Sequence, residues 1–195
     1  CEDEYAIHFA TRLIKSQDVL KAVEFHSSLD PGGDNPGTSW PSLRSLCVQY
    51  PLLLQGSLAL FDADVKASQL SKIKNAGLYL TLPDGDSLAI ERRIIVHILG
   101  LSNDDPFFEK FDQERDSFLA EFKAAGVKSL TIADVMDESK TSIERCKVWA
   151  DTDKAKFKRC ITDYCDHSSL KDEFRLKFVE RINEINQQVG LPSSH

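Results

Sequence analysis

Long apolar runs are missing from this chain of 195 residues. The longest, Ile94 to Leu101, is interrupted by His97 and Gly100, and it falls well below the roughly 20 residues a helix needs to cross a bilayer. A surplus of cations is missing too. The formal charge of −7 favours solubility and disfavours a nucleic-acid surface, since binding phosphates needs clustered positive charge. Lys154, Lys156, Lys158 and Arg159 form the only dense basic cluster, and at helical spacing they are expected to form a solvated face.

The motifs that mark common chemistries are absent as well. There is no Gly-x-Gly-x-x-Gly, no phosphate loop, no His-Glu-x-x-His and no Gly-x-Ser-x-Gly. Asp84-Gly85-Asp86 invites a calcium reading, but Ile95 stands where that loop needs its bidentate glutamate. His8, His26, His97, His167 and His195 are each isolated from obvious partners in sequence. His97, within an apolar helix, is expected to be a hydrogen-bonded core residue. No cofactor is called for, and no Asn-x-Ser/Thr acceptor bears on compartment. Internal repeats and low-complexity tracts are also lacking.

What is present is the composition of an ordinary folded domain, 42% hydrophobic and 28% charged, with apolar residues recurring three and four apart. The expectation is an all-α bundle of six to eight helices, built as one helical domain over 1–195 with an irregular loop at 29–41. Ile7, Ala10, Leu13, Ile14, Val19, Leu20 and Val23 open the pattern. Ser16-Gln17-Asp18 either cap a second helix or decorate the exposed side of one long helix.

Leu29 to Pro41 is irregular by composition, since Pro31, Gly32, Gly33, Asp34, Asn35, Pro36 and Gly37 suit neither helix nor strand. Trp40 closes it, either turned into the core as part of a plain connector or serving a recognition loop. Pro41 fits the first turn of a helix with Leu43, Leu46, Cys47 and Tyr50 inward, ended or kinked by Pro51. A further helix is expected through Leu58, Phe61, Val65 and Ile73, stopping at Gly77 in a left-handed cap. Leu78 to Leu82 has no obvious partner strand and reads as an extended connection.

Ser87 is expected to cap a helix with Leu88, Ile94, Ile95, Ile98 and Leu99 inward. On that helix Glu91-Arg92-Arg93 default to the surface. Asp105-Pro106 begins the clearest helix, with Phe108, Phe111, Phe118, Leu119 and Phe122 along one face. The stripe is read as core, each phenylalanine contributing roughly 2 to 3 kcal/mol on burial. Thr131 and Asp134 resemble a capping box, followed by one helix through Ile132, Val135, Ser139, Ile143, Cys146 and Ala150. After Asp151-Thr152-Asp153 a new helix carries Phe157, Ile161 and Tyr164. A last helix, capped at Ser168 or Ser169, carries Phe174, Phe178, Ile182, Ile185 and Val189 before Gly190 and Pro192.

The cysteines Cys1, Cys47, Cys146, Cys160 and Cys165 suggest a disulfide framework. If the helices flanking Thr152 run antiparallel, Cys146 and Cys160 are offset by about 3 Å of helix rise and Cys165 by about 10 Å. The predicted pairs are therefore Cys146 to Cys160, a stapled hairpin near the C-terminus, and Cys47 to Cys165. The alternative is buried free thiols in a reducing compartment. A zinc site from Cys146, Cys160, Cys165 and His167 is disfavoured, because Cys160 and Cys165 point about 140° apart on one helix.

Disulfides would imply export. A first residue that is cysteine fits a processed or excised chain, and a lipid anchor on Cys1 is the variant of that reading. The function expected is an exported binding or interaction protein without catalysis, engaging an unidentified protein partner or a small apolar ligand. A small helical enzyme is the rival.

Overall fold

Helical periodicity is realised along most of the chain in the computed structural model, which describes residues 1–15, 17–27, 38–84, 86–124 and 131–190. Among the described residues the elements are α1 (Glu4–Ile14), α2 (Gln17–Lys21), α3 (Trp40–Gln49), β1 (Ala59–Phe61), α4 (Ala67–Leu70), β2 (Tyr79–Thr81), α5 (Ile90–Gly100), α6 (Pro106–Glu109), α7 (Arg115–Ala124), α8 (Ile132–Met136), α9 (Lys140–Thr152), α10 (Lys154–His167) and α11 (Leu170–Gln188). The fold is mostly helical, as expected. Eleven α-helices occur among the described residues, against six to eight expected, because several anticipated long ones are broken.

Two compact units divide the chain: residues 1–89 with 165–195, and residues 90–164. In the first, α1 packs along α11. Asp3 caps α1 by accepting from the Ala6 amide at 2.8 Å, and Tyr5, Ala6, Phe9, Ala10, Leu13 and Ile14 are buried. Lys15, at φ 51°, stops it in the left-handed region. The expected cap at Ser16 lies outside the described residues, as do Leu29 to Gly37 of the expected loop, Gly85 of the Asp84-Gly85-Asp86 stretch, and Pro192.

A second apolar cluster in this unit gathers Leu43, Cys47, Ala59, Phe61, Val65, Leu70 and Ile73, with Trp40, Leu54 and Tyr79 packed against it. Here the expectation of a helix through Leu58, Phe61, Val65 and Ile73 is wrong. β1 and β2 form a two-stranded parallel sheet, with Ala59 opposite Tyr79, Leu60 opposite Leu80 and Phe61 opposite Thr81. Residues 62–78, carrying α4, make the crossover that parallel pairing requires. The supposed extended connection is therefore β2. Gly77, expected to end a helix with positive φ, sits in a short 3₁₀ turn; positive φ occurs instead at Gly56 and Gly190.

In the second unit α5 packs against α8 and α9. Ser87 adopts φ 54° and does not start α5. Leu88 instead donates its amide to the Asp84 carboxylate at 2.6 Å, and the helix begins at Ile90. The expected phenylalanine helix is two helices. Asp112 takes φ 54° between them, and the Gln113 amide closes on the Phe108 carbonyl at 3.3 Å. The break lets Phe107, Phe108 and Phe111 turn in toward Phe118, with ring centroids 5.2 to 5.7 Å from it.

The Thr131 and Asp134 capping box is present, but the helix it starts ends at Met136. Ser139, expected inside that helix, is the N-cap of α9 and accepts from the Ser142 amide.

The disulfide pairing is not what the structure shows: all five cysteines are unpaired thiols. The predicted staple assumed that α9 and α10 fold back along each other. Instead α9 packs on α5 and α8, which sets Cys146 near Glu91 and Arg92 of α5, while Cys160 neighbours Lys156, Arg159 and Asp163 on its own helix. Cys47 lies in the apolar cluster of the first unit and Cys165 near Arg12, Lys15 and Asp166. Burial pushes the thiols of Cys146, Cys160 and Cys165 up, to about 11, 12 and 12. They are apolar packing groups, and oxidised pairs no longer support export.

Candidate functional site

Phe178, Ile182 and Ile185 recur at helical spacing on one side of α11. Phe25 stacks on Phe178 with centroids 6.1 Å apart and planes 13° from parallel. Leu43 and Leu46 of α3 face the same space, as do Leu54 and Leu58 from the chain leading into β1 and Leu60 within it. Together these side chains wall a cavity of about 440 Å³ within the first unit, inside the size range of small-molecule sites.

Polar groups gather at its rim: Glu24, His26, Ser27, Thr38, Ser57 and Asn186. His26 Nε2 lies 3.5 Å from Glu24 Oε1 with both side chains well exposed. The His26 carbonyl accepts from the Cys1 amine at 2.9 Å, and the Thr38 amide donates to the Glu2 carbonyl at 2.7 Å. Cys1 and Glu2 thus hold the backbone at two of the lining residues, His26 and Thr38. Apolar walls interspersed with polar groups suit a small ligand that carries both a hydrocarbon part and a polar group.

Trp40, the residue singled out for recognition, opens α3 but does not line this cavity. Its ring packs on the apolar cluster around β1, with the Arg44 guanidinium 5.1 Å from its centroid. Its helix reaches the cavity through Leu43 and Leu46 instead.

A more open cleft of about 460 Å³ lies elsewhere in the same unit, bordered by Tyr79, Thr81, Asp84, Ser87, Phe174, Glu173 and Lys177. Its charged groups are committed to local structure. Asp84 holds the amides of Asp86 and Leu88, and Lys177 binds Glu173 at 2.6 Å.

The second unit contains two polar clusters that the sequence did not announce. Arg92, expected on the surface, is buried and donates Nε to the Val135 carbonyl at 2.8 Å and Nη2 to the Asp137 carbonyl at 3.4 Å. It thereby caps the C-terminal end of α8, where carbonyls lack helical partners. Glu91 is buried too. Asp163, also buried, binds Lys110 and lies 3.9 Å from His97 Nε2. His97 is 22% exposed, and its ring stands edge-on to Phe107 and Tyr164.

The basic cluster is only partly a solvated face. Lys156 reaches over the Phe118 ring at 4.3 Å and donates to Gln113 at 2.9 Å and Glu121 at 2.5 Å. Burial alone would raise the Glu121 carboxyl, but the Gln113 amide and the Lys156 ammonium together hold it below its usual range. Arg159 covers Phe111 at 4.5 Å.

Among the described residues no three His, Cys, Asp or Glu side chains gather where they could share a metal ion. Likewise no helix there is long and apolar enough to cross a membrane. No family model, no curated protein and no solved structure matches the chain.

Proposed function

We propose that this chain is a binding protein whose first unit holds a small, mostly apolar ligand in the cavity between α11, α3 and the approach to β1. The observation that carries this reading is the cavity itself: about 440 Å³, walled by phenylalanine, leucine and isoleucine with Glu24, His26, Ser27, Thr38, Ser57 and Asn186 set among them. Filling it with a hydrocarbon ligand removes apolar surface from water at roughly 25 cal/mol per Å², so a modest ligand gains several kcal/mol before the costs of association. A ligand carrying one polar group has Thr38, Ser57 or His26 within reach at the rim.

Titration with the uncharged fluorophore N-phenyl-1-naphthylamine tests the proposal. The wild-type chain should take it up saturably at micromolar concentration. Leu46→Trp and Leu58→Trp, at half-buried wall positions, should reduce that uptake at least tenfold while circular dichroism stays unchanged. Absence of saturable uptake, or equal uptake by the filled variants, overturns the reading.

A further inference from the structure

The end of α3 and the 3₁₀ turn after it present apolar side chains that the cavity does not use. Val48, Tyr50, Leu52 and Leu53 are 41%, 55%, 76% and 72% exposed. Their outward position is fixed by the backbone. The Tyr50 amide donates to Leu46 at 2.9 Å and the Leu53 amide to Tyr50 at 3.0 Å, while Leu54, next in line, is packed against the apolar cluster. We propose that this face is where two copies of the chain associate through a two-fold interface.

Charge favours a second copy as the occupant. Residues 45–61 contain no Asp, Glu, Lys, Arg or His, in a chain of net charge −7 with 28% charged residues. A two-fold axis places each patch against itself, so any charge near the axis would meet its like, which costs several kcal/mol. This stretch avoids that penalty. Leu176, 67% exposed on α11, lies instead between the charged residues Arg175 and Lys177, with no exposed apolar neighbour beside it in sequence.

Shape agrees with charge. A shallow groove along α3, formed by Pro41, Ser42, Ser45, Leu46 and Tyr50, adjoins the protruding Leu52 and Leu53. A two-fold axis brings the ridge of one copy and the groove of the other onto the same interface. From the fractional exposures the four side chains offer on the order of 500 Å² per copy. A pair would bury about 1,000 Å², the lower bound for specific interfaces and the range of reversible ones.

Sedimentation velocity on the full chain from about 1 to 200 µM decides the matter. The wild type should pass from monomer to dimer across that range. Leu52→Asp with Leu53→Asp should remain monomeric at 200 µM with an unchanged circular dichroism spectrum, since neither side chain is part of the core. Leu176→Asp should dimerise like the wild type, and so should the cavity variant Leu58→Trp, which separates this proposal from ligand binding. A monomeric wild type at 200 µM overturns it, as does a dimer that the double aspartate variant leaves intact. Should that monomer pellet with phosphatidylcholine vesicles through the same leucines, the face belongs to a membrane surface and the proposal fails.

Discussion

Raising the pH should destabilise this protein through its buried thiols. Cys146 and Cys160, both buried in the second unit, have thiols pushed up to about 11 and about 12 from 9.0. In the unfolded chain the same thiols ionise near 9, so between 9 and 11 the unfolded state binds fewer protons than the native state. Stability is then complete below pH 9 and falls as pH rises. At pH 10 each thiol costs about 1.4 kcal/mol, and the two together about 3 kcal/mol. Trp149, buried among Phe118 and Phe157, reports unfolding of their unit. Urea titrations of wild type and of Cys146→Ala with Cys160→Ala, at pH 7.5 and pH 10, isolate the contribution, since other titrating groups are common to both. The wild type should lose about 3 kcal/mol more than the variant over that interval. Equal losses would refute the reasoning, and a Cys146 to Cys160 disulfide, which has no proton to lose, would produce that result.

Arg92→Met should lower the stability of the second unit by about 2 to 4 kcal/mol, because two carbonyls lose a charged donor; urea midpoints read at Trp149 measure this. Asp112→Val should cost about 1 to 2 kcal/mol and Asp112→Gly should be near neutral, since the site sits at φ 54°; thermal unfolding of the pair separates backbone strain from loss of charge. Phe178→Ala should cost about 3 to 5 kcal/mol through lost burial and an enlarged cavity, visible as an earlier transition in urea.

Legibility in the sequence followed the range of the interactions involved. The amphipathic faces of α1, α10 and α11 and the caps at Thr131 and Gly190 depend on neighbours within a turn or two, and the residue pattern displays them. The strand pair does not. Ala59 to Phe61 and Tyr79 to Thr81 are three residues each, too short for alternation to register, and each becomes a strand only because the other lies beside it. Arg92 was misplaced for a similar reason: its partners are carbonyls at Val135 and Asp137, and backbone acceptors carry no residue signature. The break at Asp112 was masked by a phenylalanine spacing that satisfies one helix as well as two. A Cys146 to Cys160 staple needs α9 and α10 to lie antiparallel, a relation between helices that α9 gives up by packing on α5 and α8. The cavity could not be read at all, because its walls come from segments as distant as Phe25, Leu58 and Ile185.

The first unit is built from both ends of the described chain, with α1 lying along α11 while residues 90–164 form the second unit between them. During synthesis the apolar side of α1, including the buried Phe9 and Leu13, must wait for α11 to leave the ribosome before the two helices can pack. The intervening unit has all of its own residues available earlier. Completion of the first unit therefore cannot follow the usual N-terminal-first order.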